Sequence, residues 1–486
     1  MNRRLVSLLV ASCLTAAAAA AVRAETYHVG AGQDNKSLKQ IVGQLKPGDI
    51  VEVAPGTYKE AMKITVSGTK DSPIIIRGVA GSPRPVFDAA GQDCSGKGPV
   101  PRGAFQVEGG YIVLEHLEIT GAHNGGQGDG VRMNGSPFAI VRDCKIHHND
   151  NGCFSNDAGT TIIERCEVCA NGSDAFAGFS HNFYMHSKHL IVRGCYIHDS
   201  HTGQNFKTRS HYNELLYNWI SDGDDGEVGM VEEKGLTDVP NSNALMVGNI
   251  IVSSANRPKK ANPTRFLEFA SESNCPHDGT LYMYYNTFVS GSPRHASVTL
   301  RDKKAKLVCC NNILIGSESV VLAVAAASTS GSHNFVGADA KVPAEFTDTI
   351  RGANPGFMDI PKRDFRLKND SPCAGKGAGT LEYVDGDGQK HVLSPTRSYM
   401  PQLKLITRSQ KAVADLGAYE VPASGSATDS FDLDGPGRPA VAADPATPST
   451  PASPAASDPT TPTPATPDAS KPSPSPSPSP IVLPPL

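Results

Sequence analysis

The sequence predicts an all-β fold: a parallel β-helix solenoid with a short helical cap at its N-terminal end and a disordered proline-rich C-terminal tail. Two observations predict it. A pattern of two or three β-formers, a polar residue, then Leu, Cys or Asn, and an apolar residue two further on recurs along the chain. It reads VLEHLEI, IVRDCKI, IIERCEV, IVRGCYI, ELLYNWI, LMVGNII, YMYYNTF and LVCCNNI. The anchors are Leu117, Cys144, Cys166, Cys195, Asn218, Asn249, Asn286 and Asn311, spaced from 22 residues (Cys144 to Cys166) to 37 (Asn249 to Asn286). Periods of that size belong to repeats that cannot bury their apolar side alone. The second observation is that only turns separate the β-runs, which excludes ankyrin and tetratricopeptide helices. The leucine-rich repeat pattern is also absent.

Taken in order, residues 1–24 read as a secretory signal peptide. Arg3 and Arg4 precede an apolar run, and Val22-Arg23-Ala24 is a small-residue cleavage site. The protein is therefore expected to be secreted or periplasmic, with lipid anchoring at Cys13 as an alternative. No later run reaches the length of a membrane span. Residues 25–110 form the cap and first coils: an amphipathic helix over Ser37–Leu45, stopped by Pro47-Gly48, then β-runs at Ile50–Val53, Met62–Val66 and Ile74–Arg77. Residues 111–353 are the repeats. Equivalent residues of successive coils lie about 4.8 Å apart, so Cys144, Cys166 and Cys195 should form a buried thiol column that asparagines continue. Counting back equally from Cys166, Cys195 and Asn218 gives Phe154, Phe183 and Phe206 as a second inward column. Residues 354–421 close the domain, and residues 422–486, rich in Pro, Ser and Thr, cannot bury enough apolar surface to fold.

The net charge of −4 gives nucleic-acid binding no support. Cys166-Glu-Val-Cys169 makes a poor zinc knuckle. Between His181 and Gly226 one strand pair occurs twice, and strand alternation with Phe183 and Phe206 inward sends their neighbours outward. That predicts an exposed cluster of Asn182, Tyr184, His186, Asn205, Lys207 and Arg209. Glu268 alternates with Leu267 and Phe269 and is expected outward, with Glu232, Glu233 and Glu272 in the same groove. The turn carrying Asp222, Asp224, Asp225 and Glu227 offers carboxylates for Ca²⁺, although Asp-Gly runs are also simply turns.

The cap with its Pro55–Tyr58 turn resembles that of the right-handed parallel β-helix, or pectate-lyase-like, superfamily. DFRLKNDSPCAGKGAG and ADLGAYE are similar to closing segments of secreted bacterial β-helix proteins, as is the set HNFYM, GQNFKTRSH and DGDDG. The resemblance implies a carbohydrate-active protein: a polysaccharide lyase or C5-epimerase acting on an acidic, uronic-acid-containing polysaccharide. In that chemistry Lys207 would be the base, Arg209 the carboxylate clamp and Tyr184 the proton donor to the leaving oxygen. His186 or His201 would be a reserve base, and Asn182, Asn205 and Glu268 would bind substrate. A non-catalytic polysaccharide-binding protein and a glycoside hydrolase are the alternatives. The Arg-x-Pro-x-x-Arg signature of pectate lyases and the Asn-Thr-Asp, Gly-His-Gly and Arg-Ile-Lys motifs of polygalacturonase-like hydrolases are absent.

Overall fold

The structure, a computed structural model, describes residues 24–253, 266–272, 275–323, 327–393 and 395–421. The expected signal peptide apart from Ala24, including Cys13, and the tail of residues 422–486 lie outside the described residues. No described helix is long and apolar enough to cross a membrane.

Each coil contributes one strand to each of three parallel faces. The first face carries the strands Asp129–Asn134, Asn151–Asn156, Phe183–Met185, Gln204–Thr208, Gly226–Met230 and Leu267–Phe269. The second is a thirteen-stranded sheet running from Thr26–Val29 to Phe346–Thr347 and includes Ser187–Arg193 and Tyr212–Leu216. Short strands such as Lys145–His147, Glu167–Cys169, Tyr196–His198 and Trp219–Ser221 build the third. The fold is the expected parallel β-helix.

At the N-terminal end, a turn of α-helix at Leu38–Ile41 runs into a 3-10 turn at Val42–Gln44, within the expected Ser37–Leu45. Leu38, Ile41, Val42 and Leu45 join the same buried cluster as Val51 and Ile74 of the first coils. The helix thus covers apolar side chains that an open solenoid end would expose to water.

The thiol column forms as expected, with Cys144, Cys166 and Cys195 fully buried. All ten described cysteines are free thiols. Cys195 N–H donates to Asn218 Oδ1 at 2.9 Å, and amides then bond along the axis from Asn218 to Asn249 to Asn286 at 2.9–3.0 Å. The next rungs are Asn312 and Asn334, not the expected Asn311. Asn311 has φ +62 and turns its side chain to Ala378.

The phenylalanine column also needs correcting. Phe183 and Phe206 pair in register and are buried, their rings 5.4 Å apart. Phe154 is not in line with them: Cys153 holds that rung, and Phe154 pairs with Tyr184 on the outer side. The cause is one extra residue. Asn156 and Asp157 make the corner where the next coil uses His186 alone, with Asp157 at φ +50. A single added residue changes which face a side chain serves.

The closing segment lies along the outside of the coils. Phe357, Phe365, Leu367, Tyr399, Leu416 and Tyr419 cover Trp219, Ile250 and Phe335 on the third face. The hairpin Leu381–Val384 with Lys390–Leu393 packs on the second face near Leu245 and Tyr284.

Candidate active site

Alternation on the first face places one residue per coil in an outward column. It runs Gln106, Arg132, Phe154, Tyr184, Lys207, Gly229, Glu268 and Thr299. Inward neighbours such as Val131, Phe206, Val228 and Leu267 fill the core. A buried rigid wall therefore fixes the spacing of the outward groups.

At the middle of the column two cations, a phenol and a carboxylate meet. The Glu272 carboxylate bonds Lys207 Nζ through Oε1 and Arg209 Nη2 through Oε2. Arg209 Nε donates to Tyr184 Oη at 3.1 Å, and Nη1 donates to the carbonyl of Glu232. Lys207 Nζ stands 5.5 Å from the centre of the Tyr184 ring. Burial works against the Arg209 charge, but Tyr184 and Glu272 outweigh it and raise its pKa above the ordinary value. Burial alone would raise Glu272; Lys207 and Arg209 overcome that and hold the carboxyl below its usual range. Glu233, its carboxylate 3.8 Å from Arg209 Nη1, goes the other way. Burial raises its pKa, with Asp157, Glu272 and Asp238 adding to that against the pull of Arg209.

His186 packs its ring 5.0 Å from Tyr184 and 6.3 Å from Phe154. Its Nε2 is buried without a hydrogen-bond partner. Burial, then the charges of Arg209 and Lys207, push its pKa down to about 3. The imidazole is therefore neutral at ordinary pH. Arg132 lies 4.0 Å over the Phe154 ring and pairs with the buried Asp129. Burial raises Asp129 to about 6 despite Arg132.

The structure thus brings together Tyr184, His186, Lys207 and Arg209, with Glu232, Glu233 and Glu272 beside them. His186, Lys207 and Arg209 are buried rather than exposed as expected, because Glu272 lies against both cations and His186 packs on Tyr184 and Phe154. Glu268 is in the same outward column but largely buried. Between it and Lys207 stands Gly229, where a Cβ would lie 2.6 Å from Gln204 Nε2. The expectation that Asn182 and Asn205 face outward is wrong. Both are fully buried rungs of a second ladder, Asn149–Asn171–Asn182–Asn205, which ends on Glu227. They sit where the chain turns from the third face into the first, and strand alternation does not hold through a corner.

The acidic turn is divided among separate tasks. Glu227 is buried and accepts from Asn205 Nδ2 and Gly223 N–H. Asp222 pairs with Arg363 of the closing segment, and Asp224 accepts from Thr202 N–H. The backbone N–H of Asp225 donates to Gly203 O. His201 stands half-exposed between Asp174 and Asp224, at 3.0 and 3.6 Å. Sequence reasoning missed Phe154 and Arg132 as part of the site, and only the extra corner residue before Ala158 signals the former. A separate cavity of about 580 Å³ opens on the second face, between His189, Tyr212, Glu214 and the hairpin residues Tyr383, Asp385 and His391.

The sequence model described as the right handed beta helix region matches residues 99–199 and 129–335. No curated protein sequence matches the chain. Among solved structures, the pectate lyase Pel9A is similar with TM-score 0.50 and 15% identity, covering 82% of this chain and 96% of its own. A rhamnogalacturonan lyase gives TM-score 0.45 at 14% identity, covering 64% of this chain and 87% of its own. An alginate lyase from Paenibacillus sp. str. FPU-7 gives 0.40 at 16%, covering 68% and 98%. Its coils, its ladders and the match to the right handed beta helix region give the chain a right-handed parallel β-helix fold, which the pectate lyase Pel9A shares.

Proposed function

We propose that the protein is an exported carbohydrate-active enzyme that cleaves or epimerises an acidic, uronic-acid-containing polysaccharide at the first face. The observation that carries this reading is the cluster of Tyr184, Lys207, Arg209 and Glu272, in which two cations and a phenol share one wall. A base must take the C5 proton of a uronate, and positive charge must stabilise the electrons gathering toward its carboxylate. In elimination those electrons form the C4=C5 bond, the C4–O bond breaks, and the departing oxygen takes a proton. Lys207 and Tyr184 are the groups that touch substrate, as base and acid. The Arg209 guanidinium is already bound to Tyr184, Glu232 and Glu272, so it acts as a positioning residue rather than as an open carboxylate clamp. Arg209 supplies the standing positive charge and Lys207 adds its own as it takes the C5 proton, and the reading requires no Ca²⁺ at the Asp222–Glu227 turn. Phe176 and Phe179 stand exposed on the corner loop before Phe183, with rings 5.1 Å apart. Exposed apolar rings beside a groove suit the flat face of a sugar.

Glu233 and Glu272 support a second reading, a glycoside hydrolase. Their environments push two carboxyl groups in opposite directions, the arrangement that separates an acid from a base. Incubation with alginate, pectate and chondroitin separates the readings. Ultraviolet absorbance from an unsaturated uronate supports the lyase, and altered C5 configuration without chain cleavage supports the epimerase. New reducing ends without that absorbance support the hydrolase. Binding without turnover on every acidic glycan would overturn both enzymatic readings.

A further inference from the structure

The third face holds a cluster that the polysaccharide reading leaves unused. Strands Glu167–Cys169 and Tyr196–His198 pair in parallel, with Cys169 opposite His198. Val168 and Ile197 are core residues, so Glu167, Cys169 and His198 share the outer side. The Cys166-Glu-Val-Cys169 spacing is misleading in sequence. Cys166 belongs to the buried thiol column, while Cys169 meets Glu167 of its own strand and His198 one coil on.

The donor atoms of Glu167, Cys169 and His198 all lie within 4.8 Å of one another. Cys169 Sγ is 3.7 Å from Glu167 Oε1, and His198 Nε2 is 3.5 Å from the same oxygen. A tetrahedral Zn²⁺ with bonds of about 2.0–2.3 Å separates its ligands by roughly 3.3–3.8 Å, so this spacing fits a metal between the atoms. A second, independent observation points the same way. The His198 side chain is only 4% exposed, yet its Nε2 has no hydrogen-bond partner among the described residues and faces the cluster.

Support for the histidine is already in place. Its Nδ1 lies 2.7 Å from Asp199 Oδ2, the carboxylate–histidine arrangement that leaves Nε2 free to bind a metal. The ring stacks on Tyr196 at 3.9 Å, which fixes its plane. Lys145 Nζ, 3.4 Å from Glu167 Oε1, is the cation that an incoming metal would displace.

We propose that Glu167, Cys169 and His198 form a site for a zinc-class divalent ion, with Asp199 orienting His198 and water in the fourth position. Mixed nitrogen, sulfur and oxygen donors favour such an ion over Ca²⁺ or Mg²⁺, which take oxygen ligands.

The test is to strip the purified protein with a chelator and titrate it with Co²⁺, then Zn²⁺. One equivalent of Co²⁺ should produce thiolate-to-metal charge-transfer absorption that Zn²⁺ abolishes, and Zn²⁺ should raise the melting temperature. Cys169→Ser should lose the absorption, while Asp199→Asn should weaken binding about 10- to 100-fold. If Cys169→Ser misfolds by circular dichroism, Glu167→Gln serves instead, since Glu167 reaches the surface; it should weaken binding at least about tenfold. Absence of the band in the wild type, binding only at millimolar metal, or wild-type binding in these variants would overturn the site.

Discussion

Lys207 is held outward because its neighbour Phe206 fills the core, and its ammonium is kept near Tyr184 by Glu272. If this cluster is the catalytic centre, Lys207→Met should abolish turnover while the protein stays folded. Because Glu272 then loses one of its two cations, stability should fall by roughly 1–3 kcal/mol, more than for a free surface lysine. Paired rate and denaturation measurements check both halves, and full activity in the variant would remove Lys207 from the reaction. Arg209→Lys should cost about 30- to 1000-fold in rate, because one ammonium cannot hold Tyr184, Glu232 and Glu272 together. His186 gives a separate acid-side signature. Its folded pKa of about 3 lies below the ordinary 6.5, so the unfolded chain takes up this proton first. Stability present above pH 6.5 should therefore decline as pH falls toward 3. His186→Asn should flatten that decline in a melting-temperature series, while His277, pushed down by burial to about 4, remains common to both proteins. Identical pH series would mean that His186 titrates normally.

Each coil spends its corners on buried amides, and this makes the ladders the most demanding elements of the fold. Asn249 Oδ1 accepts from the backbone and side-chain amides of Asn218, while its Nδ2 donates to Leu215 O and Asn286 Oδ1. Asn249→Ala would leave several buried groups unpaired and should cost on the order of 3 kcal/mol. A denaturant midpoint equal to wild type would show that water fills the gap. The same elements show where sequence reasoning held. Within strands, alternation placed Phe206 inward and Tyr184 and Lys207 outward, because a straight strand permits nothing else. At corners it failed. Asn182 and Asn205 look like outward polar residues in sequence but bond along the axis. Phe154 was misplaced by the extra residue at Asn156–Asp157, which no local propensity reveals. Glu272 is far from Lys207 in the chain, so alternation could suggest a shared groove but not the ion pair that joins them.

At the scale of the whole molecule, the closing segment covers the later coils of the third face. A solenoid strand buries its inward side within the coil, but Trp219, Ile250 and Phe335 point outward and are buried only because residues 357–419 lie over them. Asp222–Arg363 ties that cover to the coils. Trp219 is the sole tryptophan, so its fluorescence reports directly on the cover. Truncation after residue 353 should expose it and shift its emission to longer wavelength. Uncovering a large apolar side chain costs roughly 1.5–3 kcal/mol, so losing the cover over three of them should lower stability by roughly 5–9 kcal/mol. That is comparable to the entire stability of many domains, and aggregation or failure to fold is the expected result. Truncation after residue 421 makes the control. The Pro-, Ser- and Thr-rich composition beyond it has little apolar surface to bury, so both the melting temperature and the Trp219 emission should match the full chain. If the shorter truncation keeps blue emission and an unchanged melting temperature, the coils alone protect Trp219 and residues 354–421 are not their cover. If removing only residues 422–486 lowers the melting temperature by several degrees, the tail packs on the β-helix after all.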